Sequence, residues 1–124
     1  MEISEIKTIA QTYLDACYEG DANKFREVFH EAAHVYGYDE KGELYDRTKE
    51  EFINFVEAKK ASGQKPTHPR QAEILSIECS SDKTAAVRLK VRVMNTVFSD
   101  ILSLMQLDGK WKIISKVYTG EAVE

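Results

Sequence analysis

The sequence has few of the residues that stabilise small secreted or metal-binding domains. Only two cysteines occur among 124 residues, Cys17 and Cys79, and they form no C-x-x-C pair. Their scarcity excludes a disulfide-rich scaffold and a cysteine zinc site, and it predicts two free thiols in a reducing compartment. The two prolines, Pro66 and Pro69, lie close together and predict one loop.

Long apolar runs and an excess of basic charge are also missing. No stretch approaches the roughly 20 apolar residues of a membrane-spanning helix. The formal charge is −4, with acids and bases interspersed, so neither a nucleic-acid nor a membrane partner is expected. The N-terminus, MEISEIKTIAQ, is acidic and amphipathic, which argues against a secretory signal and favours the cytoplasm. With 43% apolar residues, the chain suits one domain over residues 1–124.

Apolar residues at helical spacing predict three helices. The first ends near Gly20, and Asp21 is placed to cap a short second helix. Thr48 and Glu51 form a T-x-x-E capping box for a third helix, with Gly63 just past its end. The apolar positions are Ile3, Ile6, Ala10, Tyr13, Leu14 and Cys17 in the first helix, Phe25, Val28 and Phe29 in the second, and Phe52, Phe55 and Val56 in the third.

The remaining segments favour strands. AHVYGY followed by the turn DEKGE predicts a hairpin from Ala33, and AEILSIEC, AAVRLKVRVM, VFSDILSLMQL and KWKIISKVY predict a four-strand meander. Their connections SSDK, NT and DG are tight-turn sequences, and Asp108-Gly109 is the clearest. The order helix, helix, hairpin, helix, meander indicates an α+β fold, with three helices packed on one face of a curved antiparallel sheet.

The string HEAAH at residues 30–34 matches the H-E-x-x-H motif of zinc proteases. In that motif the two histidines lie one helical turn apart and share an ion. Here His30 follows a short predicted helix and His34 belongs to a predicted strand, which would separate their Cα atoms by roughly 13 Å. The remaining histidine, His68, lies in the proline-containing loop. We therefore expect neither a metalloprotease nor a metal site.

Two long segments and the element order resemble the nuclear transport factor 2-like superfamily: YLDACYEGDANKFREVFHEAAHVYGY and FSDILSLMQLDGKWKIISKVY. Within it, the F-H-x-x-A-x-V-x-G start of the hairpin and the closing D-G-K-W-K-I-x-x-K-V-Y are similar to the small bacterial "putative lumazine-binding" and SnoaL-like (polyketide-cyclase-like) families. The resemblance covers nearly the whole chain. It implies a cone-shaped α+β fold with a deep pocket between helices and sheet, usually in a dimer. It implies no particular reaction, because the fold hosts several.

Ketosteroid isomerase, an enzyme of this superfamily, allows a residue-by-residue comparison. By resemblance, its oxyanion-binding tyrosine falls on Tyr13, its general-base aspartate on Gly37 and its protonated aspartic acid on Ser103. That chemistry needs a base near the substrate carbon and donors directed at the developing oxyanion. Only one of the three catalytic positions, Tyr13, carries the matching residue, which is too few for this catalysis. Tyr13 is therefore expected to pack in the pocket wall, and the alternative is that its hydroxyl acts as a catalytic hydrogen-bond donor.

Strand alternation predicts the lining of the pocket. In AAVRLKVRVM the aliphatic residues share an inward face, while Arg88, Lys90 and Arg92 face outward. In the next strand we place Ser103 inward. The predicted ligand-binding residues are Tyr13, Phe29, Phe52, Phe55, Ser103 and Tyr118. This lining suits a small apolar or aromatic ligand, with no cofactor. The alternative is that the side chains close into an ordinary core.

The outer sheet face would then carry a mixture of aromatic, aliphatic and charged side chains. The predicted members are Arg88, Arg92, Phe98, Asp100 and Leu102. Such a mixture is typical of a homodimer interface. A solvated face with scattered apolar residues is the alternative.

Three functions fit these patterns. The first and preferred one is a dimer that binds a small molecule without established catalysis. The second is an isomerase, dehydratase or cyclase with Tyr13 as donor and His34 as acid or base, which requires the face shared by His34, Tyr36 and Tyr38 to line the pocket mouth. The strand alternation does not decide whether these three side chains point toward the pocket or away from it. The alternative is that His34 has a structural role. The third is a protein-interaction module whose pocket is filled.

Overall fold

The computed structural model describes residues 3–123. Three helices and six strands form the α+β fold in the predicted order. The helices are α1 (Ile3–Glu19), α2 (Ala22–Val28) and α3 (Lys49–Ala61), and the strands are β1 (Phe29–Tyr38), β2 (Leu44–Thr48), β3 (Ala72–Cys79), β4 (Thr84–Val93), β5 (Thr96–Leu107) and β6 (Lys110–Ala122). β1 starts directly after α2, four residues earlier than the predicted hairpin.

The predicted capping residues set the helix ends. The Asp21 carboxylate accepts hydrogen bonds from the backbone N–H groups of Asn23 and Lys24, which α2 itself leaves unpaired. Thr48 and Glu51 form the capping box at the start of α3. Gly20 follows α1 with a φ of +66°, a conformation that glycine adopts without steric cost.

The strands form a single mixed sheet in the order β2-β1-β6-β5-β4-β3. Neighbouring strands are antiparallel except β1 and β6, which run parallel. The prediction of a wholly antiparallel sheet was therefore wrong at this one pair, because the hairpin β1–β2 docks beside the last strand of the meander. The Asp108-Gly109 turn occurs as predicted, with φ of 52° and 77°. The β4–β5 turn falls on Met94-Asn95, one residue before the predicted position.

The core lies between the helices and one face of the sheet. Its members include Ile6 and Leu14 of α1, Ile53 of α3, and Val87 and Leu104 of the sheet, each at most 3% exposed. Burial of these apolar side chains is the main term that stabilises the packing of helices on the sheet. Across residues 3–123, no helix combines the length and apolar character that crossing a bilayer requires.

Candidate functional site

The helices and the inner face of the sheet enclose a cavity of about 590 Å³. Helix α3 supplies Phe52, Phe55 and Val56 to its walls, and β5 and β6 supply Phe98 and Tyr118. The volume lies within the range of small-molecule sites, and the walls are mainly apolar and aromatic. The polar groups that reach the cavity are therefore the features that would orient a ligand.

Three buried polar side chains meet at the floor of this cavity. The Tyr13 hydroxyl donates a hydrogen bond of 2.5 Å to Asp100 Oδ2, and Lys116 Nζ lies 3.7 Å from the same oxygen. Tyr13, Asp100 and Lys116 are 0%, 2% and 7% exposed. They come from α1, β5 and β6, so this polar cluster joins the helical layer to two neighbouring strands. Asp100 and Lys116 are among the residues that line the cavity, although the Asp100 side chain itself is fully covered, and Tyr13 lies behind them.

Lys116 is enclosed by aromatic rings as well as by a carboxylate. Its Nζ atom lies 5.0–5.3 Å from the ring centroids of Tyr13, Phe52 and Tyr118. Both the ring faces and the Asp100 carboxylate attract a positive charge, so they hold the ammonium group in place. Lys116 therefore offers the cavity a charged hydrogen-bond donor.

Burial controls the protonation of Tyr13 in the cluster and of Cys17 beside it. Burial, together with the neighbouring Asp100 carboxylate, raises the pKa of Tyr13 well above its ordinary value of 10.0, so its hydroxyl remains a donor. Burial raises the pKa of the Cys17 thiol to about 12, although the residue as a whole is only half-buried. The Cys17 thiol is therefore not an activated nucleophile.

The inner surface beside Gly37 is covered by the ring of Tyr118. A Cβ atom on Gly37 would lie 2.5 Å from Cζ of Tyr118 and 2.9 Å from its hydroxyl oxygen. A side chain at position 37 would thus require the ring to move. By resemblance, this is the position of the isomerase base, and here the Tyr118 ring and hydroxyl fill that volume.

The predicted ligand-binding residues divide into three groups. Phe52, Phe55 and Tyr118 line the cavity, and Tyr13 meets it through Asp100. Phe29 is 1% exposed and packs in the core, with its ring centroid 5.7 Å from that of Phe52. Ser103 does not face the cavity. It pairs in register with Ala86 and Ser115 on the outer face, so its placement in the pocket was wrong.

The face assignment of β5 was inverted as a whole. Phe98 and Asp100 line the cavity and Leu102 is 0% exposed, so none of these three lies on the outer face as predicted. The prediction assigned the Asp100 carboxyl to the outer face of the sheet. Because side chains two residues apart share a face, Phe98 and Leu102 were then assigned to the outer face as well. The carboxyl faces inward because it pairs there with Tyr13 and Lys116. The carboxyl that meets Tyr13 is thus Asp100 and not a residue at position 103.

The outer face carries a different set of residues from those predicted. Arg88 is exposed there, as expected, and Arg92 is half-buried with its Nε donating to the Met94 carbonyl. The register places Tyr36, Val117, Ile101 and Arg88 side by side across β1, β6, β5 and β4. Ile101 and Val117 are each 47% exposed. We call these four residues the outer row.

His34 also lies on the outer face. Its neighbour Val35 lines the cavity, and successive side chains of a strand point to opposite faces. The His34 ring stacks on Tyr36, and its Nδ1 atom lies 2.6 Å from Asp46 Oδ1. His34 and Tyr13 are therefore on opposite sides of the sheet and cannot act on one substrate molecule, which corrects the proposed catalytic pair.

The HEAAH segment is extended in the structure. His30 and His34 both belong to β1 and have separate partners, the Ala32 backbone N–H for His30 and Asp46 for His34. The helical geometry of the zinc-protease motif is therefore not present. Within residues 3–123, no three His, Cys, Asp or Glu side chains are grouped as metal ligands.

Two residues of the polar cluster were missed or misplaced from the sequence. Asp100 was placed on the wrong face, and Lys116 was not considered. A usable signal existed, because Tyr118 was predicted to face inward and Lys116 is two residues before it on the same strand. A β-bulge near Ile114 hides this pattern, since it shifts the alternation between Ile113 and Lys116.

Comparison with known proteins gives a family and several structural relatives. The profile of a family described as "Putative lumazine-binding" matches residues 1–119. The protein named Aldolase FrzH from Cladobotryum sp is 26% identical over 119 residues, which cover 94% of this chain and 90% of the relative.

Solved structures with the same fold include proteins of unknown function. An NTF2-like protein from Silicibacter pomeroyi superposes with a TM-score of 0.82 at 24% identity, covering 97% of this chain and 96% of the other. A ketosteroid isomerase-like protein from Erwinia carotovora atroseptica superposes with a TM-score of 0.76 at 15% identity, covering 98% of each chain. At these identities the superpositions establish the fold.

The polar cluster generates a prediction about stability. Asp100→Leu leaves the Lys116 ammonium and the Tyr13 hydroxyl buried without their partner, and we expect it to lower the free energy of unfolding by roughly 3 kcal/mol. Adding Lys116→Met removes the unpaired charge and should recover at least part of that loss. Urea denaturation followed by circular dichroism measures both effects. Asp82→Leu, at an exposed turn, is the matched control and should change little. Equal losses in the single and double variants would contradict the prediction.

Proposed function

Because the chain belongs to the family described as "Putative lumazine-binding", within the nuclear transport factor 2-like superfamily, we propose that it binds a small, mainly apolar or aromatic molecule in the cavity. The apolar walls would hold the body of the ligand. The floor formed by Asp100 and Lys116 would hold its polar edge.

One atom carries this proposal. Asp100 Oδ1 is buried, and within the described part of the chain it has no hydrogen-bond partner, while Oδ2 accepts from Tyr13. A buried carboxylate oxygen without a donor is costly, and such groups are nearly always satisfied by protein, water or ligand. A ligand that presents an N–H or O–H group to Oδ1 would satisfy it once the side chains that cover the fully buried Asp100 carboxyl move aside.

Lys116 complements Asp100 on the floor of the cavity. Asp100 can accept from a ligand N–H, and the neighbouring Lys116 ammonium can donate to a carbonyl oxygen. A lumazine ring carries N–H and C=O groups side by side on a flat aromatic body, which matches this acceptor and donor. The family description therefore agrees with the chemistry of the floor as a guide to ligand class.

Lumazine itself provides the first test. We expect its intrinsic fluorescence to change on titration with the protein, and Asp100→Asn to weaken binding roughly tenfold, because the amide replaces one acceptor and removes the charge. Val56→Trp should block binding by filling the cavity, whereas Ile101→Trp on the outer face should not. Binding that survives Val56→Trp in a folded protein would argue against the cavity as the site.

A second candidate function is carbon–carbon bond chemistry at a carbonyl compound. The observation that favours it is the similarity to a protein named as an aldolase, together with a carboxylate and an ammonium side by side in the cavity. In a retro-aldol reaction, Asp100 would take the hydroxyl proton of a β-hydroxyketone. The bond between the α and β carbons would break, releasing an aldehyde, and the electron pair would form an enolate whose oxygen Lys116 stabilises. The proton then returns to the enolate carbon.

A fluorogenic β-hydroxyketone that releases a naphthaldehyde tests this candidate. We expect slow turnover that falls by roughly a hundredfold in Asp100→Asn and Lys116→Met, because each removes one group of the proposed reaction. His34→Ala should retain the activity, since His34 lies behind the sheet. Loss of turnover in His34→Ala alone, with the floor variants active, would reverse the assignment.

We further propose that the outer row mediates a homodimer. Ile101 and Val117 are neighbouring exposed aliphatic residues, flanked by Tyr36 and Arg88, and this composition is common at interfaces.

The third function expected from the sequence, a protein-interaction module whose pocket is filled, has less support, because the helices and sheet leave a cavity of about 590 Å³. Cytoplasmic location is part of the proposal, because Cys17 and Cys79 are free thiols.

Sedimentation analysis tests the homodimer. We expect a dimer for the native chain and a monomer for Ile101→Glu, because a buried glutamate facing its symmetry mate would be desolvated without a partner. Leu44→Glu is the matched control, since Leu44 is 73% exposed and lies outside the outer row. A monomeric native protein, or a dimer that Ile101→Glu leaves intact, would rule out this interface.

A further inference from the structure

The cavity has the opposite charge to the protein as a whole. The chain carries a formal charge of −4. Among the described residues that line the cavity, however, five are cationic and two are acidic. The cations are Arg47, Lys59, Lys60, Lys65 and Lys116, and the acids are Glu19 and Asp100. A surplus of one charge sign in a cleft with low-dielectric walls focuses the potential there and attracts ligands of opposite sign.

Both acids of the lining are already engaged. Glu19 forms an ion pair of 2.7 Å with Lys24, which does not line the cavity, and Asp100 faces Lys116 and Tyr13. In contrast, the cations supplied by β2, α3 and the following loop have no carboxylate within ion-pair distance among residues 3–123. The positive charge near the opening of the cavity is thus not neutralised by the protein.

Arg47 is the most strongly desolvated of these unpaired cations. Its guanidinium carbon lies 4.0 Å from the ring centroid of Phe55 and 4.5 Å from that of Tyr45, and both rings line the cavity. Burial lowers the pKa of Arg47, because the loss of solvent around the charge outweighs the opposing attraction of Tyr118 and of the Glu51 carboxylate, which is not within ion-pair distance. Lys59 lies beside the same Phe55 ring, with Nζ 4.9 Å from its centroid.

The guanidinium thus lies over two aromatic rings, which supply no hydrogen-bond acceptor of the usual kind. Its N–H donors form a planar fork that fits a carboxylate, sulfonate or phosphate. The side-chain and backbone hydrogen bonds of the described residues include none donated by this guanidinium. The fork is therefore available to a group that enters the cavity.

We propose that the ligand of the cavity is an anion, a proposal that rests on the proposed binding function. The ligand would have a flat apolar or aromatic body with one acidic group. Arg47 binds this acidic group, and Lys59 adds to the attraction. The polar edge at the other end of the ligand meets Asp100 and Lys116. The negative group thus lies near the opening, away from the buried Asp100 carboxylate, which would repel it.

A pair of dyes with the same ring system tests the anion requirement. Anilinonaphthalene sulfonate carries one sulfonate, and phenylnaphthylamine has the same aromatic body without it. By fluorescence titration, we expect the sulfonate to bind at least about tenfold more tightly, because a charge-assisted hydrogen bond from Arg47 adds to the apolar contact. Raising the salt concentration from about 0.05 M to about 0.5 M should weaken the sulfonate dye selectively.

Substitution of Arg47 identifies the group responsible. Arg47→Met keeps an unbranched side chain beside the two rings, so it should reduce sulfonate binding by about tenfold and leave the neutral dye unchanged. Arg47→Lys should retain part of the sulfonate affinity. Lys90→Met removes one positive charge from the exposed opposite face of the sheet, outside the outer row, and is the control. Equal affinities of the two dyes, or an equal effect of Arg47→Met on both, would overturn the anion proposal.

The two dyes also distinguish a failure of the anion proposal from a failure of the proposed binding function. If Val56→Trp blocks both dyes but the sulfonate has no advantage, the cavity binds small molecules and the anion proposal is wrong. If neither dye responds to Val56→Trp while Ile101→Trp alters the signal, the dyes bind the outer face, and both proposals lose their basis.

Discussion

The buried contact among Tyr13, Asp100 and Lys116 is the interaction on which the rest of the structure depends. A carboxylate that is 2% exposed needs compensation from nearby donors and charges. It finds a hydroxyl from α1 and an ammonium from β6, and satisfying it fixes how the helix lies on the sheet. The contact also sets the inward face of β5. Buried polar networks of this kind are demanding, because removal of one member leaves the others unsatisfied.

The architecture was predictable because its signals are local. The capping of α2 and α3 depends on side chains within three residues of each helix start, and the Asp108-Gly109 turn depends on two adjacent residues. The parallel pairing of β1 with β6 could not be predicted in this way. It joins segments about 80 residues apart in the chain, and no local pattern distinguishes it from an antiparallel alternative.

The site was predictable in part. Phe52, Phe55 and Tyr118 were placed in the lining by helical spacing and strand alternation. In β5, both alternating sets contain large apolar residues, Leu102 on one face and Ile101 on the other, so hydrophobicity could not choose between them. The face of β5 was therefore predicted from the charge of Asp100, and this prediction was wrong. A rule that sends carboxylates to the surface fails where the compensating partners lie on distant elements, as Tyr13 does.

The separation of the two sheet faces explains how one thin layer could serve two roles. Val35 and Lys116 face the cavity, while their neighbours His34 and Val117 face outward. Substitutions on the outer row therefore need not alter the cavity, and the lining could change without altering the outer surface. The cavity also gathers cations, most of them from β2, α3 and the loop after α3, although the chain as a whole is acidic. Its electrostatic character therefore depends on how these elements meet and cannot be inferred from composition.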